Sequence, residues 1–289
     1  METYSINTAG AEIVYDVTEP TQGDGAHPPL VMIGQPMDAS GFRALTSYLP
    51  DRKVITYDPR GLGRSTRSDG EVTNTPTVQA EDVHAIITTL GAGPVDMFAS
   101  SGGAVTAMAL VAAHPEDLRV LVAHEPPLPG VLPDSERAER AMAAFHEVYN
   151  SRGFGAGMAA FIMMTSWRGE FTDDYFALPA PDPAMFGLPA DDNGSRDDPL
   201  LSERSNAVTD YRPDVDALKA APTRVVIGVG EESEGIFTGR AAVSVAKMLD
   251  TEAVVFPSHH GGFGAEDSGY PGKPEAFARR LREVLDAQS

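Results

Sequence analysis

The sequence predicts an α/β fold, a mostly parallel sheet covered by helices on both faces and interrupted once by a helical insertion. Three observations carry that reading. Short apolar runs recur along the chain, each closed by turn residues and followed by helical periodicity. The runs are apolar throughout rather than alternating, as strands buried on both faces are. The rhythm stops between positions 126 and 222, where no strand pattern stands out.

The elements follow in order. "YSIN" and "AEIVYDV" alternate around the turn "TAG" and predict an opening β-hairpin. "PPLVMIG" is a buried strand, followed by a helix near Phe42–Leu49. "KVITYD" leads to a helix near Thr77–Leu90, and "VDMFAS" to one over Gly102–His114. "LRVLVAH" is the sixth strand. After the gap come "TRVVIGVG", a helix near Arg240–Leu249, "EAVVFPS", and a closing helix in "PEAFARRLREVLDAQ". Within the gap, Ser135–Tyr149 and Gly155–Trp167 have helical periodicity. "LPAPDPAMFGLPADDNGSRDDPL" is rich in Pro, Asp and Gly and reads as a loop. The expected organisation is a core from residues 1–125 and 223–289, with a helical cap inserted over 126–222.

Composition narrows the classes of function. The chain has 289 residues, 42% of them hydrophobic, enough for a large buried core. Its formal net charge of −20 opposes nucleic-acid phosphates and anionic membranes, so neither is an expected partner. With no cysteine, disulfides, thiolate nucleophiles and zinc–thiolate sites are excluded. The N-terminal stretch "METYSINTAGAEIVYDV" lacks the pattern of a secretory signal, and no apolar run is long enough to span a bilayer, which predicts a soluble cytoplasmic protein. Whether it works alone or as a homodimer is left open.

The segment "VDMFASSGGAVTAMALVAAHP" places two serines between a strand and a helix. A sharp turn that exposes a serine brings the two backbones together, so the positions two before and two after it must be small. Ser101 satisfies this with Ala99 and Gly103. Ser100 does not, because Phe98 would collide. Ala242–Ala246 matches the same pattern around Ser244 but falls inside a helix. From the turn alone, Ser101 is either a nucleophile or an ordinary helix cap.

Further motifs resolve that choice through a resemblance. The chain resembles the α/β-hydrolases over nearly its full length. "DPRGLGRS" (Asp58–Ser65) is similar to the loop after the family's fourth strand, "GQP" (Gly34–Pro36) stands where the family has its oxyanion loop, and the order of Ser, acid and His matches. The resemblance implies a nucleophilic Ser101 and a basic histidine after the last strand. Of "FPSHHGGF", His260 precedes a small residue as the family's base does, and His259 is then its neighbour. His27, His84, His114 and His146 are read as packing or surface residues.

The acid departs from the common pattern. Where many family members have Gly-x-x-Asp, this chain has Gly230-Glu231-Glu232-Ser233, leaving Glu231 or Glu232 as alternatives from a shifted turn. The family's other acid position lies after the sixth strand, at Glu125. The elbow and "LVAHEPP" are locally similar to the zearalenone-hydrolysing lactonases, which implies Ser101, Glu125 and His260 as the triad. His124, its neighbour on the strand, should face the opposite way. The family places its oxyanion donors at Gly102 N–H and in the loop after the third strand; Pro36 has no N–H, so Gln35 is the second donor.

These residues imply a serine hydrolase acting on a small ester or lactone without a cofactor. Met163, Met164 and Trp167 could line the substrate pocket or form the cap's own core. A carbon–carbon hydrolase, an acyltransferase or a perhydrolase could use the same triad, and a ligand-binding protein could use the same scaffold without turnover. Dehalogenases and epoxide hydrolases of this fold use an aspartate where Ser101 stands. Nucleotide binding is disfavoured because "GVGEES" lacks the third glycine and carries two glutamates. No spacing of histidines and carboxylates reads as a metal site.

Overall fold

The structure, a computed structural model, describes residues 1–23, 25–267 and 269–287. Strands β1 (Glu2–Thr8) and β2 (Ala11–Thr18) form the opening hairpin, in register from Glu2↔Val17 to Thr8↔Ala11. Then come β3 (Leu30–Gln35), α1 (Arg43–Ser47), β4 (Val54–Tyr57), β5 (Thr66–Arg67), α2 (Pro76–Leu90), β6 (Val95–Ser101), α3 (Gly102–Ala113) and β7 (Leu118–His124). The insertion contributes α4 (Ser135–Ser166), α5 (Asp173–Phe176), α6 (Asn206–Thr209) and α7 (Val215–Ala220). The chain returns to the sheet with β8 (Arg224–Gly230), α8 (Phe237–Met248), β9 (Val254–Phe256) and α9 (Pro274–Asp286). The expected last residue of the closing helix, Gln288, lies outside the described residues.

The fold class matches the sequence expectation. The sheet runs β1-β2-β4-β3-β6-β7-β8-β9, antiparallel at the β1–β2–β4 side and parallel from β4 to β9. Residues alternate between two cores, as a strand's twofold period requires. Val31, Ile33, Met97, Ala99, Leu121 and Ala123 pack with α2, α3 and α8. Leu30, Met32, Phe98, Val120 and Val122 pack with α1 and α9. A third cluster, around Met142, Phe145, Tyr149, Met164 and Tyr175, lies largely within the insertion.

One strand escaped the sequence reading. Strand β5 has two residues and no apolar pattern; it exists because it pairs with β2 through Glu12↔Thr66, and it makes "LRVLVAH" the seventh strand rather than the sixth. The two helices expected in the insertion are both present as the two arms of α4, which meet in a kink at Gly153, where φ is 83° and ψ −172°. A side chain there would be strained and would meet the Asp192 carboxylate, so glycine marks the kink.

The strand order reverses at β3. The chain moves outward from β3 to β4, then returns to place β6 on the other side of β3. Crevices at the carboxyl ends of strands form where such a reversal occurs. Here that end aligns Gln35 with Ser101 across β3 and β6.

Candidate active site

Ser101 ends β6 and stands immediately before α3, with φ 56° and ψ −129°. A non-glycine residue in that region is strained and persists only when its surroundings dictate it. They do so here by close approach. A Cβ on Gly103 would lie 2.6 Å from the Ile33 carbonyl oxygen and 2.8 Å from Gly34 Cα, both main-chain atoms that cannot yield cheaply. Although Ser101 occupies the N-cap position of α3, its side chain makes no capping hydrogen bond. The hydroxyl is therefore not spent on the helix, and Ser101 lines a cavity of about 730 Å³.

His260 lines the same cavity, in the loop after β9. Its Nδ1 lies 2.7 Å from Glu125 Oε2. That is the one hydrogen bond its ring makes among the described residues, which leaves Nε2 available on the other side of the ring. Contacts between a hydroxyl and its base are often loose in an unliganded site and tighten with substrate.

Glu125 has no exposed surface and sits just after β7 with φ 49°, another strained position. Its Oε1 accepts from Gly230 N–H at 2.8 Å, and its Oε2 accepts from Thr238 Oγ1 at 2.6 Å as well as from His260. Burial by itself raises the carboxyl pKa. The hydrogen bond to His260 is the foremost cause opposing burial, and the net effect holds the group well below its ordinary range. Glu125 is therefore an ionised acceptor, and His260 Nδ1 carries the donated hydrogen. Thr238 was not legible as a site residue, because it lies in the first turn of α8, far from any motif.

The other candidates separate cleanly. His259 also lines the cavity, but its Nδ1 accepts from Gly261 N–H at 3.1 Å and its Nε2 lies 2.9 Å from the Pro271 carbonyl. With both nitrogens engaged by backbone, and the ring stacked on Tyr270 at 3.6 Å, it is held in place beside the site. Glu231 accepts from Ser258 N–H and pairs with Lys273, which Glu232 also contacts at 3.2 Å. Both are about half exposed, and neither is the carboxylate on the His260 ring. His124 turns to the opposite face of the sheet, among Phe98, Phe256 and Phe277, with no hydrogen-bond partner on either nitrogen among the described residues.

Gln35 and Gly102 both line the cavity and adjoin one another: a Cβ on Gly102 would lie 3.0 Å from the Gln35 carbonyl oxygen. Gly102 is the first residue of α3, where main-chain N–H groups have no partner within the helix. The Gln35 side chain is fixed by a 2.6 Å hydrogen bond from Gln79.

The cavity wall is mainly apolar. From α4 come Met142, Phe145, Phe161, Ile162 and Met164, with Val208, Ile236 and Phe237 opposite. Two expected pocket residues are not there. Met163 lines a separate small pocket with Ala160 and Tyr175, and Trp167 packs edge-on against Tyr175 while its Nε1 donates to the Glu170 carbonyl. Helical period explains the split. Phe161, Met164 and Thr165 share one face of α4, whereas Ala156, Ala160 and Met163 share another. Polar groups at the cavity include Thr165, Ser205, Thr209, Arg168 and Glu232. Among the described residues no helix is long and apolar enough to cross a membrane.

Comparison with known proteins adds three findings. Residues 28–152 match a family model described as alpha/beta hydrolase fold. The chain is 26% identical to the uncharacterized hydrolase YraK of Bacillus subtilis (strain 168), covering 98% of this chain and 96% of that one. Its architecture is similar to a thermophilic esterase from Thermogutta terrifontis (TM-score 0.65, 19% identity, 99% and 98% coverage). It is also similar to the N-acyl homoserine lactonase AidH in complex with N-hexanoyl homoserine (TM-score 0.61, 15% identity, 100% and 98% coverage).

Proposed function

This chain has the α/β-hydrolase fold, and from that premise we propose that it is a serine hydrolase cleaving a carboxylic ester or lactone. The observation that carries the reading is the pairing at the cavity: an uncapped hydroxyl on a strained turn, and an imidazole whose far nitrogen is held by a buried carboxylate. The name of the Bacillus relative and the activities of the esterase and lactonase neighbours support the same class.

In this reading Ser101 Oγ attacks the substrate carbonyl while His260 Nε2 takes its proton. Glu125 fixes the imidazole tautomer and stabilises its charged form. The carbonyl oxygen becomes an oxyanion facing the main-chain N–H groups of Gln35 and Gly102, and loss of one such donor costs about 10²–10³ in rate. His260 then protonates the leaving alcohol, water attacks the acyl-enzyme, and Ser101 is regenerated. The apolar wall from α4, acting as the inner face of a cap over residues 126–222, receives the body of the substrate. The substrate is accordingly a small molecule with a mainly apolar acyl or alcohol part.

The test is a panel of aryl esters and lactones with a fluorophosphonate label. Ser101→Ala should lose labelling and fall by at least ~10⁴ in kcat. Glu125→Gln should fall by about 10⁴, as when the carboxylate of a triad is neutralised. The double variant Glu231→Gln/Glu232→Gln should stay near wild type. Full rate in Glu125→Gln together with loss in the double variant would overturn the acid assignment. Tight ligand binding without turnover that depends on Ser101 would make the protein a receptor instead. If an added alcohol, amine or peroxide captures the acyl group in preference to water, the chemistry is acyl transfer.

A further inference from the structure

We propose that His84, His114 and Asp117 form a binding site for a divalent transition-metal ion such as Zn²⁺, remote from the cavity. His84 lies on α2, His114 immediately follows α3, and Asp117 lies in the turn before β7. The spacing of these residues in the chain gave no hint of it, since His84 and His114 are brought together only by the packing of α2 against α3. One ligand atom from each of the three lies within 4.8 Å of the others. Ligands on a tetrahedral zinc sit about 3.3 Å apart, given metal–ligand distances of about 2.0–2.2 Å, so the set closes when the two rings turn out of their stack and each aims a nitrogen, in its own ring plane, at one point.

The surroundings fit a cation. The His84 Nδ1 lies 2.7 Å from Asp117 Oδ2, and an ion bound between them would take the place of that hydrogen bond. The His114 Nε2 lies 2.9 Å from Glu81 Oε1, which leaves Nδ1 as its metal-binding nitrogen. A carboxylate behind the ring of a ligating histidine is the usual orienting arrangement. The two imidazoles stack at 3.7 Å, with 7° between their planes. Ligation takes both rings in their neutral form, so the three ligands carry the single negative charge of Asp117, with the Glu81 carboxylate adding a second beside them. The site is only part-buried, so an ion has a path in. Because α3 has 12 residues, the site lies about 18 Å along the helix from Ser101. Its role would be to clasp α2, α3 and the turn into β7, with water as a fourth ligand, and not to take part in hydrolysis.

The full chain, stripped with a chelator and re-dialysed, is titrated with ZnCl₂ by calorimetry and followed by thermal unfolding. Binding should saturate at one equivalent. At ~100-fold excess over Kd the thermal midpoint should rise by about 5 °C. His84→Ala/His114→Ala and Asp117→Asn should lose that equivalent, Glu81→Gln should weaken it ~10-fold, and His260→Ala should retain it. Co²⁺ should give visible bands in wild type that His114→Ala lacks. Absence of saturation at one equivalent, or the same isotherm in wild type and in the exposed-residue variant Glu81→Gln together with His84→Ala/His114→Ala, would overturn the proposal.

Discussion

At the scale of single residues, neighbours on one strand meet opposite electrostatic fates. Glu125 is buried with three hydrogen-bond donors and stays ionised. His124 is buried among aromatic rings with none among the described residues. Burial pushes its imidazole pKa down to about 4 from 6.5, a shift that the Glu125 charge offsets only in part. Between those two pH values the unfolded chain takes up a proton that the folded chain refuses. Stability therefore falls as pH drops through that window, by about 3 kcal/mol. His124→Leu removes this uptake, so its thermal midpoint should gain on that of wild type as pH is lowered from 6.5 to 4. Parallel profiles for the two proteins would mean that His124 has a proton-accepting partner after all. Glu125 works with the opposite sign of shift relative to its ordinary value of 4.5: its contribution is full above that pH and is lost as the pH falls toward its depressed value.

At the scale of elements, the turn from β6 to α3 is where geometry and chemistry meet. The sequence argument for Ser101 rested on small residues on either side, and the atoms explain it, because Gly103 packs directly onto the β3 main chain. Gly103→Ala should cost about 1–3 kcal/mol in denaturant unfolding, since the new methyl group meets backbone on a central strand. It should also lower turnover by displacing Ser101. An unchanged unfolding midpoint would show that β3 and α3 can separate without penalty. The insertion is tied to the core by another element-level contact: Asp134, at the start of α4, bonds to Arg240 on α8 and accepts from Phe171 N–H at 2.7 Å. That tie joins the helix that shapes the cavity wall to the helix that supplies Thr238 to Glu125.

At the scale of the whole molecule, a net charge of −20 surrounds a mainly apolar cavity. Such a field raises the local concentration of cations and lowers that of anions, more so at low ionic strength. For matched esters that differ only in carrying an ammonium or a carboxylate, kcat/KM should respond to salt with opposite signs. Between about 0.02 and 0.5 M NaCl it should fall for the cation and rise for the anion as screening sets in. Equal responses would place the governing charges at the cavity itself, where Arg168 and Glu232 stand, and not in the overall field.

The sequence alone determined the α/β class, the order of the principal strands and helices, and the place where the strand rhythm breaks. Those features are local: apolar runs, helical periods and turn residues act over a few positions and survive any tertiary arrangement. It also favoured Ser101 over Ser100 as the candidate nucleophile, because the demand for small flanking residues can be read from adjacent letters, and over Ser244, because only Ser101 follows a strand pattern and opens a helix. Tertiary structure decided which partners meet. Only packing shows that Glu125 accepts from Thr238 and Gly230, that backbone occupies both nitrogens of His259, and that Met163 and Trp167 turn away from the cavity while Met164 faces it. Only packing, too, stacks His84 on His114. The physical reason is that helix rotation and long-range contact depend on what lies opposite, and no short stretch of sequence contains that information.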